Sequence, residues 1–271
     1  MTSTSVRQAA RFAPRWFALG MFCLLAGCAS GPAVKDSPVV AAPEAIGDLP
    51  AQYVGTLPCA DCDGIALWLT LGPRASYVLQ QRAIGVEQDS DYIEVGRWDI
   101  DDQKRLALTP ADSDELGASL WAIDDGRLVA LDENGRQIEP AAEYTLTRRA
   151  HPVSRGLTET DWFVVNAPDA HQGGRAYIRF DPDNRLVGST GCNRLSGEYE
   201  HEDAGLSVSG LATTRRACPS FEDTEQSMLE ALRQTERARV LANYLLLFGP
   251  AGDRSPLAVF QADSEAMPVA P

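Results

Sequence analysis

The chain has 271 residues and carries 24 Lys and Arg against 38 Asp and Glu, a net charge of −14. That length can hold two domains, each burying its own core. The acidity excludes nucleic acid as a partner, because a chain this negative repels a phosphate backbone.

Arg7, Arg11 and Arg15 precede an apolar run from Trp16 to Leu25, and no acidic residue appears before Asp36. A basic stretch followed by an apolar run too short to span a bilayer predicts a secretory signal over residues 1–27. The run ends in Leu25-Ala26-Gly27-Cys28, which resembles the bacterial lipobox. The resemblance implies cleavage before Cys28 and lipid, palmitate included, on that cysteine. With Ala29 rather than Asp next, it also implies sorting to the outer membrane, facing the periplasm. Cleavage removes three arginines and no acid, which takes the charge from −14 to −17. With Cys23 gone and Cys28 lipidated, Cys59, Cys62, Cys192 and Cys218 remain. An even count in an oxidising compartment reads as two disulfides. Four cysteines allow three pairings, and spacing does not choose among them.

Residues 29–50 are rich in Ala, Pro, Gly, Ser and Val without a period, so residues 28–50 read as the lipidated cysteine and a flexible tether. As a coil the tether spans about 26 Å. From Gln52 the pattern becomes β. Ile65, Leu67, Leu69 and Leu71 alternate with Ala66, Trp68 and Thr70, a period of two. Short segments follow at 76–81, 92–99, 105–108, 118–123, 127–131 and 143–147, separated by turn signals such as Gly72-Pro73, Asp124-Asp125-Gly126 and Glu133-Asn134-Gly135. Seven or eight short strands without helical period predict a small antiparallel barrel or sandwich over residues 51–148.

Residues 149–156 carry a Pro and no pattern, and read as a linker. Strands are predicted again at 161–166, 175–180, 186–188, 197–200, 206–209, 244–248 and 257–261. One helix is expected after Asp223-Thr224, with Met228, Leu229 and Leu232 at helical spacing, acids near its start and Arg233 near its end. Residues 157–261 are therefore expected to form an α+β domain, with a disordered tail over 262–271.

Two family resemblances sharpen this. Tyr53-Val-Gly-Thr-Leu-Pro58-Cys59-Ala-Asp61-Cys62-Asp-Gly64-Ile65, with the alternating strand and Tyr77 behind it, resembles the N-terminal domain of the NlpE lipoproteins. That family implies a small lipocalin-like β-barrel and a role in copper and envelope stress. Trp162, Gly188-Ser-Thr-Gly191-Cys192-Asn193-Arg194-Leu-Ser-Gly197, Thr213-Thr214-Arg215-Arg216-Ala217-Cys218 and Glu225 resemble the META family, which includes the lipoprotein HslJ. An envelope stress-sensor protein is the partner these resemblances imply.

Cys59 and Cys62 can close a disulfide, bind a soft metal or carry redox chemistry. A catalytic thiol pair sits at a helix N-terminus. Here Gly64 and a strand follow, and Asp61 and Asp63 disfavour a thiolate. Copper or zinc would accept two thiolates but needs further ligands, and His151, His171 and His201 stand at no ligand spacing. A bridge between Cys192 and Cys218 would close a loop of about 27 residues and contribute about 3–4 kcal/mol. Asn193 and Arg215 could form a ligand site or serve as buried struts between loops. The leading expectation is a non-enzymatic lipoprotein whose Cys59/Cys62 loop senses redox state or metal. A barrel that carries a small apolar or lipid ligand is the alternative, and a thiol oxidoreductase is the third reading.

Overall fold

In the computed structural model the alternating pattern becomes two closed, antiparallel, eight-stranded barrels. The structure describes residues 44–86, 91–111, 118–150, 155–165, 175–252 and 255–262. The predicted signal, Cys28, the tether up to residue 43, His151, His171 and the tail from residue 263 lie outside the described residues.

The first barrel runs β1 (Ala51–Leu57), β2 (Gly64–Gly72), β3 (Ser76–Ile84), β4 (Asp91–Ile100), β5 (Leu106–Pro110), β6 (Ser119–Asp124), β7 (Arg127–Ala130) and β8 (Thr145–Arg148). Neighbours in sequence pair, and β8 returns to β1 through Tyr53↔Arg148 and Val54↔Thr147. The Asp124-Asp125-Gly126 signal forms the β6–β7 hairpin, with positive φ at Asp125 (44°) and Gly126 (76°), the geometry whose twist matches the flanking strands. Leu67, Leu69 and Leu71 point inward and pack with Tyr53, Tyr77, Trp98, Trp121 and Leu128. An eight-stranded barrel is just wide enough for side chains to fill, and these side chains fill it. The fold begins earlier than the tether reading placed it. Ile46 is fully buried in this core, because an isoleucine beside the barrel gains more from burial than a coil gains from freedom.

Tyr77 is fully buried and its Oη donates to Glu94 Oε1 at 2.6 Å. Burial and that carboxylate hold its phenol protonated far above the ordinary tyrosine value of 10.0, and burial raises Tyr53 as well. The folded state therefore keeps protons that the unfolded chain releases above pH 10. Stability is complete below that pH and falls as pH rises past it. Guanidinium unfolding at pH 9 and pH 11 should show the decline, and Tyr77→Phe should shrink it; a pH-independent midpoint over that range would refute the assignment.

The second barrel is built from β9 (Trp162–Val164), β10 (Tyr177–Phe180), β11 (Arg185–Ser189), β12 (Arg194–Glu202), β13 (Gly205–Thr213), β14 (Arg237–Leu241), β15 (Tyr244–Phe248) and β16 (Ala258–Ala262), with β9 closing the ring between β10 and β16. The expected helix is present as α1 (Glu222–Gln234), inserted between β13 and β14. Glu222, Asp223 and Glu225 occupy its first turn and Arg233 its last, matching the dipole. Met228 and Leu232 reach the barrel core beside Trp162, Phe180, Leu245 and Phe260. Around the helix β13 and β14 meet only at Gly205↔Arg237. Ala262, assigned from sequence to the tail, pairs with Trp162 and is buried, so the fold extends through it.

The two barrels share an apolar seam. Val78, Ile93 and Val95 on the outer faces of β3 and β4 pack with Leu241, Tyr244, Leu246 and Phe248 from β14 and β15. Tyr244 Oη donates to Gln80 Oε1 at 2.6 Å, and Gln261 Nε2 donates to the same oxygen at 3.3 Å. Every residue of β15 is buried because one face lines its own barrel and the other lines the seam.

Candidate functional site

The six residues between β1 and β2 form an exposed rim loop that contains Pro58, Cys59, Asp61 and Cys62 and ends at Gly64. Cys59 and Cys62 are joined by a disulfide, with Cα atoms 5.3 Å apart. Pro58, Ala60, Asp61 and Asp63 are exposed, and both cysteines are half-buried. Asp63 N donates to Ile84 O at 2.9 Å, which ties the loop to the end of β3. Gly85 then turns with φ +80°, and a Cβ there would strike the Asp63 carboxyl group, so only glycine fits beneath the aspartate. Beyond that turn stands Val86, and across the hairpin stands Tyr92, at 39% and 56% exposure the exposed large apolar side chains among the described residues.

This geometry limits the chemistry of the thiols. Among the described residues no helix N-terminus adjoins the loop, which runs from β1 directly into β2, so the positive end that stabilises a thiolate in an oxidoreductase is not supplied by them. Cys62 Sγ lies 3.2 Å from the Gly64 carbonyl oxygen, which gives a reduced thiol an acceptor in reach. Copper or zinc does not fit the oxidised loop, since a disulfide offers no thiolate. Among the described residues no three His, Cys, Asp or Glu side chains converge as ligands. His201 stands exposed on β12, away from the loop.

The second constellation gathers Gly191, Cys192, Asn193, Thr214 and Cys218 at the β11–β12 turn and the segment before α1. Cys192 and Cys218 form a disulfide with Cα atoms 6.3 Å apart. Asn193 is buried at 4% exposure, and its side chain amide uses its full hydrogen-bonding capacity. Nδ2 donates to Glu225 Oε2 at 2.9 Å and to Arg216 O at 3.2 Å. Oδ1 accepts from Thr214 Oγ1 at 2.9 Å and from Arg216 N at 2.8 Å. Thr190 Oγ1 completes the set, donating to Glu225 Oε2 at 2.6 Å and accepting from Asn193 N at 3.1 Å. One turn, one strand exit and the first turn of α1 are thus clamped by a disulfide and a polar knot. A cleft of about 270 Å³ opens beside it, lined by Cys218, Phe221 and Glu222 among others, but the Asn193 amide points into the knot rather than toward a guest.

Arg215 does not join the knot; its side chain is exposed, and the backbone of its neighbour Arg216 makes the contact instead. Thr190 was not foreseen as a participant, although it stands one residue before Gly191. Its signal was local: a Ser/Thr hydroxyl beside a tight turn bonds to nearby backbone. Glu225, one of the residues that carry the META resemblance, accepts from both Thr190 and Asn193 from the first turn of α1.

Residues 53–141 match the NlpE N-terminal domain family, and residues 155–264 match the META domain family. Lipoprotein NlpE of Escherichia coli is 32% identical over 99 residues; the match takes in 36% of this chain, which spans 40% of that relative's length. A crystal structure of a Shewanella oneidensis protein is similar at 30% identity over 38% of this chain and 92% of that one, with a TM-score of 0.33. The crystal structure of the Cpx pathway activator NlpE from Escherichia coli is similar at 18% identity over 62% of this chain and 97% of that one, with a TM-score of 0.30. The chain is therefore similar to the NlpE N-terminal domain over residues 53–141 and to the META domain over residues 155–264.

Proposed function

We propose that the chain is a non-enzymatic lipoprotein of the bacterial cell envelope. It is held at the outer membrane through Cys28, and its β1–β2 loop conveys thiol oxidation state to an envelope stress-sensor protein. The observation that carries this reading is the attachment of the Cys59–Cys62 loop, through Asp63, to the strand end that bears Val86 and Tyr92. Opening the disulfide frees Asp63 to leave Ile84 and Gly85, and so alters the surface that presents two exposed apolar groups.

The two bridges differ in the way this role requires. By loop closure alone the Cys59–Cys62 bridge contributes about 2 kcal/mol and the Cys192–Cys218 bridge about 3.5 kcal/mol. The first can open while its barrel stays closed; the second locks the Asn193 knot. Copper or zinc enters only after reduction, as a soft cation on two thiolates, so the redox state of the loop is the primary variable. The ligand-carrier reading asks for interior volume that Tyr53, Tyr77, Trp98 and Trp121 occupy.

The test is a Cys59→Ser/Cys62→Ser chain. It should lose no more than about 2 kcal/mol of stability, exchange amides faster at residues 58–64 and 84–86, and shift an envelope-stress reporter in cells. Tyr92→Ser should leave the disulfide and the stability unchanged yet lower the reporter response. Wild-type exchange together with an unmoved reporter in the double variant would sink the proposal.

A further inference from the structure

A cavity of about 330 Å³ lies between the first turns of α1 and the paired strands β9 and β16. Its two walls differ in chemistry. The strands contribute Val164, Val259 and Phe260, with Val164 opposite Phe260 in the ladder. The helix contributes Asp223, Thr224, Ser227 and Met228, whose spacing places them on one face. Thr224 and Met228 are buried on that face, and Asp223 and Ser227 are exposed. The helix wall is held from behind. Glu225 points away from that face and is tied to Thr190 and Asn193, while the Cys192–Cys218 bridge fixes the segment leading into α1.

Thr224 is the informative residue. It is 6% exposed, and its Oγ1 is buried with no hydrogen-bond partner among the described residues. An unpaired buried hydroxyl costs free energy that a valine of the same shape would not. Such a group beside a cavity calls for a partner from outside the chain. The charge of the wall selects that partner. Among the described residues no Lys, Arg or His lines the cavity, whereas Asp223 does, and Glu222 and Glu225 stand in the same helical turn. Three carboxylates outweigh the roughly half unit of positive charge at a helix N-terminus. The polar wall therefore repels anions and attracts cations.

We propose that this cavity binds a small amphiphilic amine. Its apolar body lies against Val164, Met228, Val259 and Phe260, its ammonium pairs with Asp223, and Thr224 Oγ1 accepts one of the ammonium protons. The volume is at the small end for ligand cavities, which limits the body to a single ring or a short alkyl chain. The Met228 thioether favours a ring, since sulfur packs well at an aromatic edge. The site belongs to the second barrel and is independent of the β1–β2 loop.

The test uses the full chain in one neutral detergent, titrated with phenethylamine, phenethyl alcohol and 3-phenylpropionate. These probes share a ring and a two-carbon arm and differ in the charge of the head. Amide exchange is followed at residues 223–228 and 257–260. Saturable protection is expected with the amine, at roughly tenfold lower concentration than with the alcohol, because a charge-assisted hydrogen bond exceeds a neutral one; the carboxylate should give none. Asp223 is exposed, so Asp223→Asn keeps the fold and should bring the amine down to the level of the alcohol. Thr224→Val should weaken amine and alcohol alike and yet raise the unfolding midpoint, since it removes the unpaired hydroxyl. No saturable protection by the amine, equal binding of amine and alcohol, or a carboxylate that binds as well as the amine overturns the proposal. So does an amine preference that survives Asp223→Asn, or a lower midpoint for Thr224→Val.

Discussion

Asn193→Ala should destabilise the chain by about 2–3 kcal/mol. The side chain removed is small, so lost packing sets only part of the effect. The rest comes from the partners left behind. The Glu225 carboxylate loses a donor, the Thr214 hydroxyl loses its acceptor and Arg216 N loses its acceptor. Thr214 and Arg216 are exposed and can turn to water, so the cost, about 1–3 kcal/mol, falls mainly on the half-buried Glu225 carboxylate and on the cavity at the buried Asn193. Asn193→Asp is a sharper test because it keeps the shape. It puts a carboxylate oxygen where the Nδ2 donor stands 2.9 Å from Glu225 Oε2, so two negative charges meet. It should cost at least as much as alanine at neutral pH. Guanidinium unfolding under oxidising conditions measures both. A loss below about 1 kcal/mol for either variant would mean that the knot contributes little beyond the disulfide. Cys192→Ser/Cys218→Ser loosens the same segments, so its effect and that of Asn193→Ala should combine non-additively.

The knot also shows how far the sequence could be read. Its motif residues stood out as a group, and the buried-strut reading of Asn193 followed from chemistry that any buried amide must obey. The convergence of Thr190, Arg216 and Glu225 on it was not legible, because 32 residues separate Asn193 from Glu225 and no local pattern measures that distance. The strands of the first barrel were legible wherever one face alone was apolar, as from Ile65 to Leu71. β14 was not, for a physical reason: Arg237 and Arg239 hold the face that a strand usually gives to the core or to the solvent, and here that face borders a second barrel. Ala238 and Val240 were too short a signal against them. The closing of the second domain into a ring was hidden for a related reason, since α1 interrupts the β13–β14 join and leaves a single pair to carry it. In the first domain the cysteine loop was the most conspicuous stretch of the sequence. Its coupling to Val86 and Tyr92 depends on one backbone hydrogen bond and one glycine turn, which appear only once β2 and β3 are paired.

Tyr244→Ala should cost about 4 kcal/mol and turn one thermal transition into two. Tyr244 is 2% exposed and sits on the outer face of β15, with its ring among Val78, Ile93 and Leu246 and its hydroxyl on Gln80. Removing a buried aromatic ring typically costs about 3–5 kcal/mol, and here the loss falls on the contact between the barrels rather than on either interior. Each barrel retains its own closed sheet and core, so each can melt alone once the seam no longer rewards melting together. In the wild-type chain the seam is apolar and well packed, and an interface of that kind binds two domains into one cooperative unit. Calorimetry of the full chain should therefore give a single transition for wild type and two for Tyr244→Ala. Tyr244→Phe keeps the ring and loses only the hydroxyl bond; Gln80 Oε1 still accepts from Gln261. That variant should cost about 1 kcal/mol and remain a single transition. A single transition that merely moves down in temperature for Tyr244→Ala would show that the remaining seam, with Leu241, Leu246 and Phe248, is enough to couple the barrels. Two transitions already present in the wild type would show that the seam never coupled them.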